Sequence, residues 1–262
     1  MKKRTVGIDK YSTFGLRQEW LNDFFVLGDE WLSNNTLGPK QVPAVLRWLI
    51  DVELVDEKKK ISTDLGNYLR EIYRKDKPFT WLVIWNNMYY NSAVVNWYLN
   101  KVPWGKITDK KELKEKMGLD YPEYSKGTIS NPIDAMVNTF DNSPLGKELG
   151  IGVLEKKGRM IKSIHKMGVN EINPHVVAYS IYKMAENTSR RNFTVSELFE
   201  SEFEGGSYKV FGLSRSNLER ILRGLHEGKG ILSVDLVAGL DNIRLREDLR
   251  SLDIIKSYSE GL

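Results

Sequence analysis

The sequence predicts a mainly α-helical protein, with winged-helix units carrying small β-hairpins at both ends and a helical central region between them. Three observations carry that expectation. Residues 37–69 read as helix, short hairpin, helix; residues 213–246 repeat a helix feeding a hairpin; and the stretch between them is dominated by apolar residues at helical spacing. The expected division is 1–77, 78–190 and 191–262.

Taken in order, residues 1–36 read as a short arm followed by a helix whose inner face is Leu16, Trp20, Leu21 and Phe24, with Trp31 and Leu32 near a second short helix. Lys2, Lys3 and Arg4 make the arm basic. After Gly38-Pro39, residues Val42, Val45, Leu46 and Leu49 fall at i, i+3, i+4 and i+7, one apolar stripe on a helix of about three turns. Pro43 fits only in its first turn, where a missing N–H leaves nothing unsatisfied. Leu54-Val55 and Ile61-Ser62 read as two tiny strands around a charged tip, Asp56-Glu57-Lys58-Lys59-Lys60. Ser62 or Thr63 then caps a helix carrying Leu65, Tyr68, Leu69 and Ile72.

From Pro78 to Leu99 the chain reads as its most hydrophobic helix, with Trp81, Ile84, Trp85, Met88, Ser92, Val95 and Leu99 at helical spacing. Aromatics stack on unpaired bases in some proteins, but a stripe at this period predicts a buried central helix. A charged helix follows at 108–117. Ser130-Asn131-Pro132 predicts a helix start, with Ile133, Met136, Val137 and Phe140 facing inward. A glycine-rich section at 144–152 leads into a hairpin turning at Lys157-Gly158. Asn173-Pro174 starts a helix packed through Val177, Ile181 and Met184, and polar, basic residues 187–192 read as a linker.

In the last third, Thr194 and Ser196 precede a helix with Val195, Leu198 and Phe199, and Gly205-Gly206 makes a turn. Leu213-Ser214 begins a helix with an apolar face of Leu218, Ile221, Leu222 and Leu225, and Ser216 with Glu219 has capping-box spacing. Strands at 231–237 and 242–246 complete the second hairpin.

The composition is that of a globular protein, with 41% apolar and 28% charged residues. A net charge of +4 permits a polyanionic partner only where positive groups cluster. With no cysteine, disulfides and thiolate metal sites are excluded. No apolar run approaches the roughly 18 residues of a membrane span, and MKKRTVGIDK lacks the apolar segment of a secretory signal, so the expected location is cytoplasmic.

Nucleic-acid binding is the function these units most readily support, because a winged helix lays its second helix in the major groove and rests its wing on phosphates. The outward positions of the first such helix read as Lys40, Gln41, Ala44 and Arg47, with Lys58, Lys59 and Lys60 on the wing tip. In the second unit they read as Arg215, Ser216, Glu219, Arg220 and Arg223. Arginine forks onto guanine, glutamine onto adenine, and lysine meets phosphates. The same fold also docks proteins, and Asp51, Asp56 and Glu57 dilute the positive field of the first unit.

Nuclease chemistry wants carboxylates converging on divalent ions. Asp141 followed by Glu155-Lys156-Lys157 has the aspartate…Glu-x-Lys arrangement of many nucleases, although Glu-x-Lys also occurs at Glu57 and Glu112. Asp134 reads as a solvated acid at a helix start. His165, His175 and His226 form no metal-binding pair, Tyr11 lacks a partner for nucleophilic attack, and no phosphate loop for ATP is present.

Several short motifs stand along the chain: Thr13-Phe14-x-Leu16-Arg17 with Trp20, Leu37-Gly38-x-Lys40 with Trp48, Trp81-x-x-x-Trp85, Pro144-Leu145-x-x-Leu149-Gly150, and Asn173-Pro174-His175 with Tyr179. Together they resemble those of a prokaryotic domain family of unknown function associated with DNA-phosphorothioation and phage-defence gene clusters, the SspB-type nicking components. The resemblance spans nearly the whole chain. It implies DNA binding beside other subunits of a modification or defence complex and, in some members, a strand nick, with magnesium or manganese required only in that case. His and Glu precede the Thr-Phe pair in the family, whereas Tyr11 and Ser12 stand here, which puts any chemistry of those two positions in doubt. The contrasting expectation is a non-catalytic winged-helix adaptor or transcriptional regulator that binds protein partners.

Overall fold

Trp81, Val83, Ile84, Trp85 and Met88 have no exposed surface, because the helix that carries them is packed on every side. The computed structural model describes residues 7–200, 202–236 and 240–262; the basic arm Lys2-Lys3-Arg4 and the hairpin residues 237–239 lie outside that description. The described chain is mainly helical with two small antiparallel sheets of three strands each.

Helices α1 (Gln18–Leu27), α2 (Trp31–Asn34), α3 (Gln41–Asp51) and α4 (Asp64–Tyr73) form the first part. Pro43 lies in the first turn of α3, as its chemistry demands. Thr63 caps α4 by accepting from the Gly66 N–H. Between these helices the expected pair of strands is reduced to a single antiparallel bridge, Val55 to Ser62.

The aromatic stretch is two helices rather than one: α5 (Lys77–Asn91) and α6 (Ala93–Lys101). Ser92 between them is extended, and the Asn96 side chain donates to the Tyr89 carbonyl at 3.0 Å, satisfying an acceptor that the break frees. After β1 (Ile107–Thr108), α7 (Lys110–Asp120) is capped by Asp109. Helix α8 (Lys126–Asp141) starts six residues before the expected Pro132, because Ser125 caps it and the proline is absorbed within it. Strands β2 (Val153–Lys157) and β3 (Met160–His165) make the predicted hairpin, and the first sheet has the order β1-β3-β2.

Helix α9 (Pro174–Thr188) begins at the predicted Asn173 cap and runs into the expected linker, whose end is β4 (Asn192–Thr194). The helix expected after Ser196 is one short 3-10 turn, Glu197–Phe199. Then come α10 (Gly206–Phe211), α11 (Arg215–Lys229), β5 (Leu232–Asp235), β6 (Asn242–Leu245) and α12 (Ser251–Glu260). The α11 cap is Ser214 rather than Ser216. The second sheet is ordered β4-β6-β5, so the strand before α10 and α11 pairs with the last strand of the hairpin that follows them. Helix α12 then packs back on α9 and α4. One continuous apolar core runs through all three parts of the chain. No helix among the described residues is long and apolar enough to cross a membrane.

The segment before α1 is strapped along α8. The Asn131 amide donates to Asp9 and the Asn138 amide to the Thr13 carbonyl, while the Leu16 and Gln18 N–H groups donate to Thr139 Oγ1 and the Asn142 carbonyl. Gly15 makes that approach feasible: a Cβ there would lie 2.3 Å from the Thr139 nitrogen and 2.4 Å from the Ala135 oxygen, both backbone atoms. Gly15→Ala is therefore expected to cost about 3 kcal/mol or more, by overpacking against an unyielding helix backbone. Urea unfolding checks this; an unchanged midpoint refutes the strap.

Candidate nucleic-acid interface

In the first part, the basic face is built around a buried carboxylate. Asp51, at the end of α3, accepts from the Tyr11 hydroxyl and pairs with Lys10 Nζ at 2.6 Å and Arg47 Nε at 3.4 Å. Burial pushes the Asp51 carboxyl upward, chiefly opposed by the Lys10 ammonium, and drives the Tyr11 phenol well up. The Tyr11 ring lies flat on Trp48, with centroids 3.5 Å apart, and Trp48 Nε1 donates to the Phe14 carbonyl at 2.8 Å. Arg47 continues outward to Glu57 at 2.7 Å, joining α3 to the charged tip.

This network decides what each predicted contact residue is able to do. Arg47 is half-buried and held by two carboxylates. Gln41 accepts from the Gly38 N–H at 2.9 Å, organising the helix entry. Ala44, expected on the outward face, is 4% exposed and packs inward, because Ala44 and Val45 both fall within the stripe continued by Trp48 and Leu49. Lys40 is exposed, as are Lys58 and Lys59; Lys60 is intermediate. The tip holds its shape because Asp56 Oδ1 accepts from the Lys58 and Lys59 N–H groups, at 2.9 and 2.7 Å.

In the last part, α11 buries Leu218, Ile221, Leu222 and Leu225 and leaves Arg215, Ser216, Arg220 and Arg223 exposed. Arg215 is anchored to Glu219 at 2.8 Å, to Ser196 Oγ at 3.2 Å and to Asp241 at 3.2 Å. Ser196, followed by the Arg215 guanidinium, holds the Asp241 carboxyl below its usual range. Arg223 donates to the Leu236 carbonyl at 3.2 Å, beside the hairpin.

The nuclease-like residues sit together on the β2–β3 hairpin and the end of α8, but their carboxylates face different partners. Asp141 pairs with Lys156. Glu155 accepts from Ser163 Oγ at 2.7 Å, and His165 Nε2 lies 2.9 Å from that hydroxyl and 3.8 Å from the glutamate. Both the histidine and the hydroxyl meet the same glutamate oxygen, so this is no Ser-His-acid relay, in which the ring's second nitrogen would meet the acid. A register shift between Glu155 and Lys156 separates their directions, and Lys157 is exposed at the turn. Asp134, expected to be solvated, lies within α8 and is claimed by Lys110 at 2.5 Å and Lys114 at 2.9 Å. Among the described residues no three His, Cys, Asp or Glu side chains are grouped as metal ligands.

Around the family-like opening motif, Thr13 and Phe14 contribute backbone carbonyls to the strap and to Trp48, and the Arg17 guanidinium lies over the Trp20 ring at 4.8 Å. Ser12, at φ +50°, is exposed. Tyr11 is therefore a core residue in this chain. Sequence reasoning missed its partnership with Lys10 and Asp51; the legible fragment was the i,i+4 spacing of Arg47 and Asp51. Tyr11→Phe keeps the stack on Trp48 and removes one bond to a charged acceptor, so it is expected to lower stability by about 2 kcal/mol, read from urea unfolding. Stability equal to the parent's overturns the assignment.

Comparison with protein-family models finds no match, and comparison with curated proteins finds none. Two solved structures are similar in fold. "Magnesium ion-bound SspB crystal structure" superposes with a TM-score of 0.74 and "SspB crystal structure" with 0.73. Each is 14% identical to this sequence, and the match covers 97% of this chain and 88% of the other. At that identity the likeness is one of fold, and it extends over essentially the whole chain.

Proposed function

We propose that this protein is the DNA-binding component of a DNA-phosphorothioation or phage-defence system, and that it directs or introduces a strand nick within that system. The observation that carries the reading is the agreement of two independent signals. The short motifs from Thr13 to Tyr179 resemble the SspB-type family, and the fold matches SspB over 97% of the chain. The connectivity of the last part supports the DNA-binding half. Helix α9, strand β4, helices α10 and α11, and the β5–β6 hairpin follow one another in winged-helix order, with the first strand paired to the last. In that arrangement α11 is the helix presented to the major groove, and Arg220 and Arg223 are on its exposed side. The first part supplies Lys40 and the tip lysines for phosphates.

A second reading, a protein-binding adaptor, is favoured by one feature. Arg47 and Arg215, the arginines best placed to read bases, are each engaged by two carboxylates of their own unit. Duplex binding followed across a salt series separates the two. Under the DNA reading, the joint change of Lys58, Lys59 and Lys60 to glutamine lowers the slope of log affinity against log salt by about one for each phosphate left without its lysine, and the Arg220→Gln, Arg223→Gln pair does likewise. Undetectable duplex binding at low salt, or slopes unchanged by both sets, favours the adaptor.

Cleavage is tested with supercoiled plasmid in magnesium or manganese. Because Asp141 holds Lys156 and Glu155 holds Ser163, Asp141→Ala and Glu155→Ala are expected to leave any relaxed-circle product unchanged. Loss of the product in both variants would instead assign cleavage to this hairpin.

A further inference from the structure

A groove of about 650 Å³ opens between α7 and α8, far along the chain from both basic terminal units. Its volume lies in the range of small-ligand sites. Pro122, Tyr124 and Ile129 give it an apolar wall, and Lys110, Lys111, Lys114 and Lys126 stand around it. Asp134 takes up two of those ammonium groups from the α8 side, and Glu115 lies 3.7 Å from Lys111. Four cations thus face two carboxylates, and the groove keeps a positive balance.

Gly118 also lines it. Glycine weakens a helix interior, yet this one is neither at a turn nor in close contact: a Cβ there would meet nothing within 4 Å. Its missing side chain leaves the groove open at that point.

We infer that this groove binds a nucleotide unit, its base against the tyrosine-bearing apolar wall and its phosphate beside Lys111 and Lys126, the two lysines that Asp134 does not hold. An aromatic face takes any base by stacking, and ammonium groups meet phosphate as point charges. A purely apolar ligand would leave the lysines unused, and a bare inorganic anion would leave the apolar wall unused. The site is separate from the terminal helices, so it stands or falls independently of the duplex-binding reading. Its source is either an unpaired stretch of a nucleic-acid strand or a free nucleotide.

The test uses the full chain and a fluorescein-labelled single-stranded deoxythymidine oligonucleotide, followed by anisotropy at low salt. Gly118→Leu fills the groove without removing a charged side chain, so affinity is expected to fall at least tenfold. Tyr124→Ala is expected to weaken binding similarly, and Lys111→Gln with Lys126→Gln to lower the slope. Tyr124→Ala and Lys126→Gln carry the test should Gly118→Leu lower the melting temperature. Displacement of the oligonucleotide by thymidine monophosphate identifies a site that accepts the free nucleotide; loss in Gly118→Leu without such displacement identifies a strand-specific site. The inference is overturned if the parent does not bind the oligonucleotide, or if Gly118→Leu and Tyr124→Ala bind it within twofold of the parent. Duplex binding is expected to be unchanged in Gly118→Leu and to show a lower salt slope in the tip-lysine variant, which keeps failure of one reading distinct from failure of the other.

Discussion

A helix buried on every side carries polar side chains inside the protein, and three of those on α5 bond to other parts of the chain. Asn87 donates to the Val52 carbonyl at the end of α3 and accepts from the Tyr179 hydroxyl on α9. Trp85 Nε1 donates to the Val210 carbonyl on α10, and Asn91 donates to the Asp51 carbonyl. The bonds of Asn87 and Trp85 are buried, where losing a partner costs about 1–3 kcal/mol. Several such bonds distributed along one helix hold the first and last parts in one placement relative to the centre. Lys183 to Glu53, at 2.6 Å, and Tyr258 to Asp76, at 2.8 Å, close the same arrangement from the other side. The spacing between the two basic units is therefore a property of the core rather than of a linker.

The strap along α8 adds a second constraint, and it runs into the basic face. The segment that carries Gly15 and Leu16 also carries Lys10 and Tyr11, which reach Asp51; Asp51 steadies Arg47, and Arg47 meets Glu57 on the charged tip. A chain of contacts thus leads from the back of α8 to the exposed lysines. A lysine buried at the other side of the molecule plays a comparable part. Lys166 donates to the carbonyls of Tyr98, Leu99 and Val102 at the end of α6, with the Trp104 ring 4.3 Å away. It fixes that helix end by donating to carbonyls the helix leaves open, and burial drives its pKa well down.

Much of the helical framework was legible because apolar spacing is a local signal. The stripes of α3, α5 and α11 and the caps at Thr63 and Asn173 lie within a few residues of the elements they define. What escaped lay outside the apolar stripes. Ser92 is not a helix breaker by type, and the Tyr89 carbonyl that the break frees is taken by Asn96. Pro132 looks like a start, but Ser125 provides a better one. Helix α12 offers Ile254, Ile255 and Tyr258 in a short polar segment, too little to announce a helix until α4 and α9 cover it. The candidate site was legible as residue types on exposed helix faces, and illegible as electrostatics. Lys10 meets Asp51 across 41 positions, and Arg215 meets Asp241 across 26.

Those pairings set the terms on which any polyanion is held. The chain carries 39 basic and 35 acidic residues, so affinity depends on which cations lack nearby anions. Arg47, Arg215, Lys110, Lys114 and Lys156 are already matched to carboxylates, and recruiting them means exchanging one anion for another with little net gain. The exposed tip lysines and α11 arginines are few, and at physiological salt each acts only within about 8 Å. Under the proposed reading, so few contacts hold a duplex only weakly on their own. In the proposed setting, tethering by a partner subunit raises the effective concentration of these few contacts, and the rigid spacing set by α5 makes them count together.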